Sequence, residues 1–378
     1  MKNSRRRRSG LYIQVPFCRS RCPYCHFYST TDLDLIPAWL EAVRIEAARY
    51  QGRFSVFDTL YLGGGTPSVL EAADLHRLVE GVRAVFFFAS GAEWTIEVNP
   101  DDLTPGKLKT YRRLGFNRIS LGLQSFHDRE LRLLGRRYGA ETARRSFRMA
   151  RESGFENINL DLICAFRGQC LKDWRLTLKE TVELQPEHVS TYLLETDLSW
   201  NRPGISPLGE SEQESFYLEA AERLANSGYL HYEVSNFARK RGWRSRHNLK
   251  YWNGVDYLGL GPDAHSFQSG RRWWNAADLP AYCRHLRLGR DPVAGLEELT
   301  SEERRRENIY LGLRTSRGLS LAGLPGVPEE ILSGGLATIA RGRLCLTERG
   351  FLLAEFVSGL LWDRLPLAGN PRQPAGFQ

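Results

Sequence analysis

The chain has 378 residues and a formal net charge of +8, and its 42% hydrophobic and 25% charged residues suit a globular protein of two domains, or of one large α/β domain with an appendage. No apolar run approaches the roughly 20 residues of a membrane helix, and "MKNSRRRRSG" lacks the apolar segment of a secretory signal, so the chain is expected in the cytoplasm with its seven cysteines reduced. Arginine runs at 5–8, 136–137 and 304–306 read as solvated surface. No RNA-binding signature accompanies them, so nucleic acid is not expected as a partner, although the tail at 1–10 could touch anionic phospholipid head groups.

In chain order, "LYIQV" reads as a first strand ending at Pro16, and "PAWLEAVRIEAARY" as a crossover helix, with apolar residues at helical spacing. "FDTLYLGGGTP" is a strand running into glycines. "EWTIEVNP" is a strand closed by Asn99 and Pro100, before the polar helix start "DDLTPGKLKTYRRLG". Strands at "RISLGLQS", "NINLDLICAF" and "HVSTYLLE" alternate with helices at "ETARRSFRMARESG" and "KDWRLTLKETVELQP". A βαβα series of six or more units predicts a parallel sheet. A helix is expected over 211–226, then an aromatic-rich stretch from 229 to 275. The tail from 299 reads as a small α+β domain of winged-helix type, in which "RLCLTERGFLLAEFVSGLL" is a strand, a Thr-capped turn and one amphipathic helix. The residues from 366 onward read as disordered.

Polar or reactive residues recur where the strands end: the cysteines, Gly63 to Thr66, Glu97, Gln124 and Asp161. Ligands of open α/β sheets and β/α barrels sit at the carboxyl ends of strands, which predicts one shared pocket. The first of these places is "VPFCRSRCPYCHFYS", with Cys18, Cys22 and Cys25 spaced C-x3-C-x2-C. A structural zinc site wants a fourth ligand, which His26, adjoining Cys25, supplies poorly. A disulfide is unexpected in the cytoplasm, and buried structural thiols do not usually cluster in a Pro-flanked loop. A [4Fe-4S] cluster on three thiolates leaves one iron open. The "GGG" of "LGGGTPS" lets backbone approach a ligand, or simply makes a tight βα turn.

In this spacing and position, after a first strand, the triplet resembles that of the radical S-adenosylmethionine superfamily. The resemblance implies a partial (β/α)6 TIM-type barrel and a [4Fe-4S] cluster on Cys18, Cys22 and Cys25. It also implies S-adenosylmethionine chelated at the open iron and cleaved by one electron to a 5′-deoxyadenosyl radical, with a reduced flavodoxin or ferredoxin as electron donor. "LYIQVPFC", "CPYC", "YLGGGTPS", "EVNP", "GFNRISLGLQSF", "LGRR", "NLDLI", "YEVSNFAR" and "SRHNLKYWNGVDYLGLGPDAHSF" follow in the order of the HemN-like coproporphyrinogen III dehydrogenase family. By carry-over onto matching positions, Tyr12, Tyr24, Gly64, Gly65, Thr66, Glu97, Gln124, Arg136 and Asp161 line the S-adenosylmethionine pocket. Glu97 would take the amino group or ribose, Gln124 and Asp161 the ribose hydroxyls, and Arg136 the carboxylate. The implied domains are a radical core at 11–240, an extension at 241–298 and a HemN-type C-terminal domain at 299–365.

Two features separate the branches of that family. Phe27 stands where true dehydrogenases carry a further cysteine, and 17 residues precede Cys18. Both resemble the HemW branch, whose members are heme chaperones serving respiratory hemoproteins at the membrane. Oxidative decarboxylation of coproporphyrinogen III is the alternative. The branch's His-Asn-x-x-Tyr-Trp element is His247, Asn248, Tyr251 and Trp252, which implies His247 as an axial heme ligand. His265 in "PDAHSF" is a second candidate, expected rather to pack or hydrogen-bond near the domain junction. The chain departs from the branch at His26, where an acidic residue is common, and at Tyr138, where a histidine is usual. "LICAFRGQC" adds Cys164 and Cys170, read as incidental thiols or as an additional soft ligand pair.

Overall fold

The computed structural model describes residues 8–195, 205–322, 324 and 326–364; most of the basic tail at 1–10, and the tail at 366–378, lie outside them. The described chain begins as a βα series: β1 (Ser9–Val15), α1 (Ile36–Arg49), β2 (Phe57–Gly64), α2 (Ala72–Val85), β3 (Phe88–Val98), α3 (Pro105–Leu114) and β4 (Arg118–Gln124). It continues with α4 (Asp128–Leu133), α5 (Ala140–Glu152), β5 (Ile158–Cys164), α6 (Leu171–Leu184), β6 (His188–Leu193) and α7 (Glu210–Asn226). The six strands β1 to β6 lie in sequence order, each parallel to the next, as a partial (β/α)6 barrel. Local chemistry sets the boundaries: α3 starts at Thr104, whose side chain accepts from the Lys107 amide, has Pro105 in its first turn, and stops at Gly115 with φ +99°.

Each strand has two unlike faces. Leu11, Ile13 and Val15, Leu60 and Leu62, Trp94, Ile96 and Val98, and Ile119, Leu121 and Leu123 share one apolar core with Trp39, Val43, Leu78, Leu108 and Phe147 of the helices. Strand side chains alternate, so Tyr12, Gln14, Tyr61, Glu97, Arg118, Ser120, Asn159, Asp161 and His188 point into the barrel. Barrel interiors are usually filled by branched aliphatic residues; this one is polar.

The aromatic-rich stretch, which carried no strand expectation, supplies further strands at both edges. β7 (Leu230–Glu233) and β8 (Asn236–Ala238) follow α7, with β8 antiparallel to β6. After α8 (Asn248–Trp252) the chain returns to the opposite edge, where β9 (Tyr257–Leu260) runs parallel to β1. β10 (His265–Gln268), β11 (Arg271–Asn275) and, after α9 (Leu279–Arg287), β12 (Val293–Glu298) extend the sheet to twelve strands. Glu46 of α1 ties this extension down. Its carboxylate accepts from Gly261 N (2.9 Å), Asn275 Nδ2 (2.6 Å) and Tyr282 Oη (2.5 Å).

The chain divides into compact units at 1–297 and 298–378. The second comprises α10 (Ser301–Leu313), β13 (Leu319–Ser320), α11 (Glu329–Ser333), β14 (Ala337–Ala340), β15 (Arg343–Leu346), α12 (Glu348–Leu352) and α13 (Ala354–Trp362), with a three-stranded antiparallel sheet ordered β13-β15-β14. Thr300 and Glu303 form the capping box of α10. The expected single C-terminal helix is two, broken at Leu353. No helix among the described residues is long and apolar enough to cross a membrane.

Candidate functional site

The cysteine loop leaves β1 and is tied back by Cys18 N to Thr30 O (2.9 Å) and Thr30 N to Pro16 O (2.7 Å). Cys18 is buried, and Cys22 and Cys25 are half-buried. Thr66 Oγ1 donates to Cys18 Sγ at 3.3 Å. Burial raises the Cys18 and Cys25 thiols above their ordinary range, and each of these two feels Cys22 electrostatically. Among the described residues no three His, Cys, Asp or Glu side chains converge on a single-ion site. The three thiols share one loop and feel one another electrostatically.

Alongside runs the glycine turn that ends β2. Gly65 N donates to Val15 O (2.9 Å) and Thr66 N to Phe17 O (2.8 Å), stitching it to the cysteine loop. A Cβ on Gly65 would lie 2.8 Å from both Phe17 O and Val15 O, and one on Gly64, at φ +102°, 2.1 Å from Gln14 Oε1. Only glycine fits there. Glu97 at the end of β3 accepts from Tyr61 Oη (2.8 Å) and Gly64 N (3.2 Å), and burial lifts its carboxyl to about 7. Tyr12 Oη donates to Gln14 Oε1 at 2.5 Å.

Gln124 ends β4 at φ +67° with Oε1 buried and without a hydrogen bond. Arg136 donates to Asn99 Oδ1 (2.7 Å) and to the Tyr24 hydroxyl, and its buried Nε has no partner. Buried polar atoms left open are uncommon and mark places where a ligand can bond. Asp161 accepts from Ser120 Oγ (2.9 Å) and Asn159 Nδ2 (2.8 Å), and burial raises its carboxyl. Of the nine carried-over residues, Thr66 bonds Cys18 and Arg136 reaches Cys18 and Cys25 electrostatically, whereas Tyr12 stacks on Tyr61 and tilts against His247 deeper in the barrel.

Three departures acquire roles or lose them. Tyr138 is buried and donates to Gly122 O (2.5 Å) and Leu123 O (3.2 Å), holding the strand end that presents Gln124. A His26 ring nitrogen bonds Glu195 O at 3.1 Å, while Phe27 beside it is 62% exposed. Cys164 packs in an apolar cluster with Trp174 and Leu178, whereas Cys170 is exposed at the start of α6, so they form no ligand pair.

His247, which the resemblance implies as an axial heme ligand, sits deep in the barrel. It is 1% exposed and lies at the amino end of the barrel, where one ring nitrogen bonds Thr59 Oγ1 (2.8 Å) and the other Tyr251 Oη (2.9 Å). Its amide donates to Glu93 Oε1 (3.2 Å), and the Trp252 indole donates to Glu233. Burial, with the cations Lys250 and Arg118 nearby, lowers its pKa to about 3. Its two ring nitrogens are held by Thr59 and Tyr251, and the His-Asn-x-x-Tyr-Trp element lines the amino end of the barrel.

Sequence reasoning also missed Gln14, Tyr61, Asn99 and Arg118. Arg118 is buried in the lumen with Nε and Nη1 unpaired, and its charge reaches Glu97, Asp161 and His247. The available signal was alternation: a polar residue at every second position of strands whose other face is aliphatic.

Comparison with known proteins agrees with this geometry. The model of the radical SAM superfamily matches residues 12–181. A protein of Mycobacterium tuberculosis named heme chaperone HemW is 35% identical over 92% of this chain and 93% of its own length. A Bacillus subtilis protein of the same name is 34% identical over 94% and 99%. The solved structure of coproporphyrinogen III oxidase (HemN) from Escherichia coli superposes with a TM-score of 0.82 at 24% identity, covering 95% of this chain and 91% of that one, a likeness of fold. The chain belongs to the HemW branch of the radical SAM superfamily.

Proposed function

We propose that the chain binds heme as cargo and hands it to hemoprotein acceptors, with respiratory hemoproteins at a membrane surface as the receiving class. Its likeness to proteins named heme chaperone over 92% of its length carries this reading. The exposed Phe27, where the sequence resemblance places a cysteine in dehydrogenases, supports it.

The radical SAM family carries a [4Fe-4S] cluster and S-adenosylmethionine, which supply one-electron chemistry when bound. Cys18, Cys22 and Cys25 would hold the cluster. Gly64, Gly65 and Thr66 would line the S-adenosylmethionine pocket, Gly64 and Gly65 lying too close to Gln14, Val15 and Phe17 to carry a side chain. Glu97, its carboxylate fixed by Tyr61, would receive the ammonium group; Gln124 and Asp161 the ribose; and Arg136, aligned by Asn99 and Tyr24, the carboxylate. Tyr12 and Tyr24 would wall the pocket. A reduced flavodoxin or ferredoxin is the expected electron donor.

The test uses anaerobically reconstituted protein carrying about four irons per chain. Stoichiometric heme uptake, followed by transfer to an apo-cytochrome, is expected. Turnover of coproporphyrinogen III to protoporphyrinogen IX would overturn the reading in favour of the dehydrogenase alternative.

A further inference from the structure

Asp161 stands on a layer of polar side chains that sequence reasoning did not single out. Parallel pairing sets Ser120 of β4, Asn159 of β5 and His188 of β6 side by side in one row. The same register sets Asp161 beside Ser190 in the next row toward the carboxyl end. Strand alternation turns both rows into the lumen, where barrel side chains stack in layers. Ser120, Asn159, His188 and Ser190 are buried, whereas Asp161 is half-buried.

The hydrogen bonds of this layer have a forced direction. An ionised Asp161 only accepts, so the amide nitrogen of Asn159 must face it. Asn159 Nδ2 donates to Asp161 Oδ1 (2.8 Å) and to Ser120 Oγ (2.7 Å), and Ser120 Oγ donates to Asp161 Oδ2 (2.9 Å). Asn159 Oδ1 is left to accept, from Ser190 Oγ (3.1 Å) and from His188 Nδ1 (2.5 Å). A neutral ring that donates through Nδ1 accepts at Nε2, and Tyr232 Oη lies 2.7 Å from that atom. Tyr232 Oη accepts in turn from Ser245 N (3.2 Å). Burial, with the Arg118 charge nearby, keeps the His188 ring neutral by pushing its pKa well below the ordinary value. Each link therefore fixes the next, from the Ser245 amide to the Asp161 carboxylate.

We propose that His188 is a positioning residue of the S-adenosylmethionine pocket: it holds the Asn159 amide in the orientation that donates to Asp161, and so aims the carboxylate at the ribose hydroxyls. The proposal rests on the reading above in which Asp161 receives the ribose. His188 itself touches no ligand. The bonds from Ser120 and Asn159 set the plane of the carboxylate, which has roughly four acceptor sites and keeps some for a ligand. Without the Nδ1 donor, the Asn159 amide is free to flip and to present its oxygen to Asp161, which repels the carboxylate from its place.

The experiment measures the affinity of the reconstituted full chain for S-adenosylmethionine and for an analogue whose ribose carries no hydroxyls. The parent is expected to favour S-adenosylmethionine by about tenfold or more, the usual weight of hydrogen bonds to a charged group. His188→Leu removes the Nδ1 donor, and its preference should shrink several-fold. His188→Asn offers an amide N–H near the place of Nδ1–H and should keep most of the preference. Iron per chain, parental in all three proteins, reports an intact cysteine loop. A merely structural role would weaken both ligands alike, so an unchanged preference in His188→Leu would overturn the assignment. Ring-nitrogen NMR shifts of His188 in the parent decide the point without a variant, should His188→Leu fail to fold. The Nδ1–H tautomer is expected, and the Nε2–H tautomer would overturn the assignment. A parent that binds both ligands equally would overturn the ribose reading of Asp161, and the assignment with it.

Discussion

The two ends of the barrel draw on one column of lumen-facing polar residues and use it in opposite ways. At the amino end, His247 is bonded through both ring nitrogens, Glu93 receives the Arg246 and His247 amides, and Lys250 pairs with Asp58 at 2.5 Å. These groups lock a short helix across the opening. At the carboxyl end, glycines replace side chains, two thiols are half-exposed, and Gln124 and Arg136 keep buried polar atoms open. Fixed hydrogen bonds suit a floor, and open ones suit a ligand pocket. The difference explains how one fold keeps a rigid base under a site that must accept and release molecules.

Substitutions at the two ends should therefore fail differently. The largest effect is expected for Cys22→Ala, which removes one of three thiolates: iron per chain should fall from about four to near zero, while the ligand-free protein keeps its thermal transition. Next comes His247→Ala. It leaves Thr59 and Tyr251 without their partner and opens a cavity in the floor, costing about 2–4 kcal/mol in urea unfolding. Iron content per folded chain should stay parental. A His247→Ala protein of parental stability would reverse this reading of the floor.

The same comparison has a pH signature. His247 titrates near 3 in the fold against about 6.5 unfolded, so its contribution is complete above 6.5 and is lost as pH falls toward 3. Glu46, beneath the extension, titrates near 7 against about 4.5 unfolded, so its contribution is complete below 4.5 and fades as pH rises toward 7. Glu46→Gln should flatten the second limb, where the slope from this one group approaches about 1 kcal/mol per pH unit at most. Urea midpoints at pH 5 and pH 8 measure it. An undiminished difference between them would mean that Glu46 stays ionised in the fold.

Most of the parallel barrel was legible from sequence, because aliphatic residues on every second position and Gly, Pro or Thr at the helix ends are local signals. The cysteine triplet and glycine turn were legible for the same reason. The edge strands β7 to β12 were not. They are short and aromatic, their register is set by partners far away in sequence, such as Gly10 opposite Tyr257, and nothing local marks them. The fate of His247 was equally hidden: a motif names the imidazole but not the Thr59 hydroxyl that meets it from β2, 188 residues earlier. Tyr138 read as a departure because its role depends on carbonyls of another element.

Tyr138 offers the smallest and finest test of the contrast between ends. Its ring is buried and its hydroxyl donates to the Gly122 and Leu123 carbonyls, just before the backbone turns to φ +67° at Gln124. Tyr138→Phe removes one oxygen and leaves the ring in place, so the stability lost should be about 1 kcal/mol, the net worth of a typical hydrogen bond. If Tyr138 aims Gln124 into the pocket, S-adenosylmethionine affinity should fall by a few-fold while iron content stays parental. Tyr138→His, the residue that the sequence resemblance implies at this position, should recover part of that affinity if its ring nitrogen reaches the same carbonyls. Equal S-adenosylmethionine affinity in Tyr138→Phe and parent would make the tyrosine a packing residue only, and would leave the geometry of Gln124 to the strand irregularity between Leu121 and Gln124.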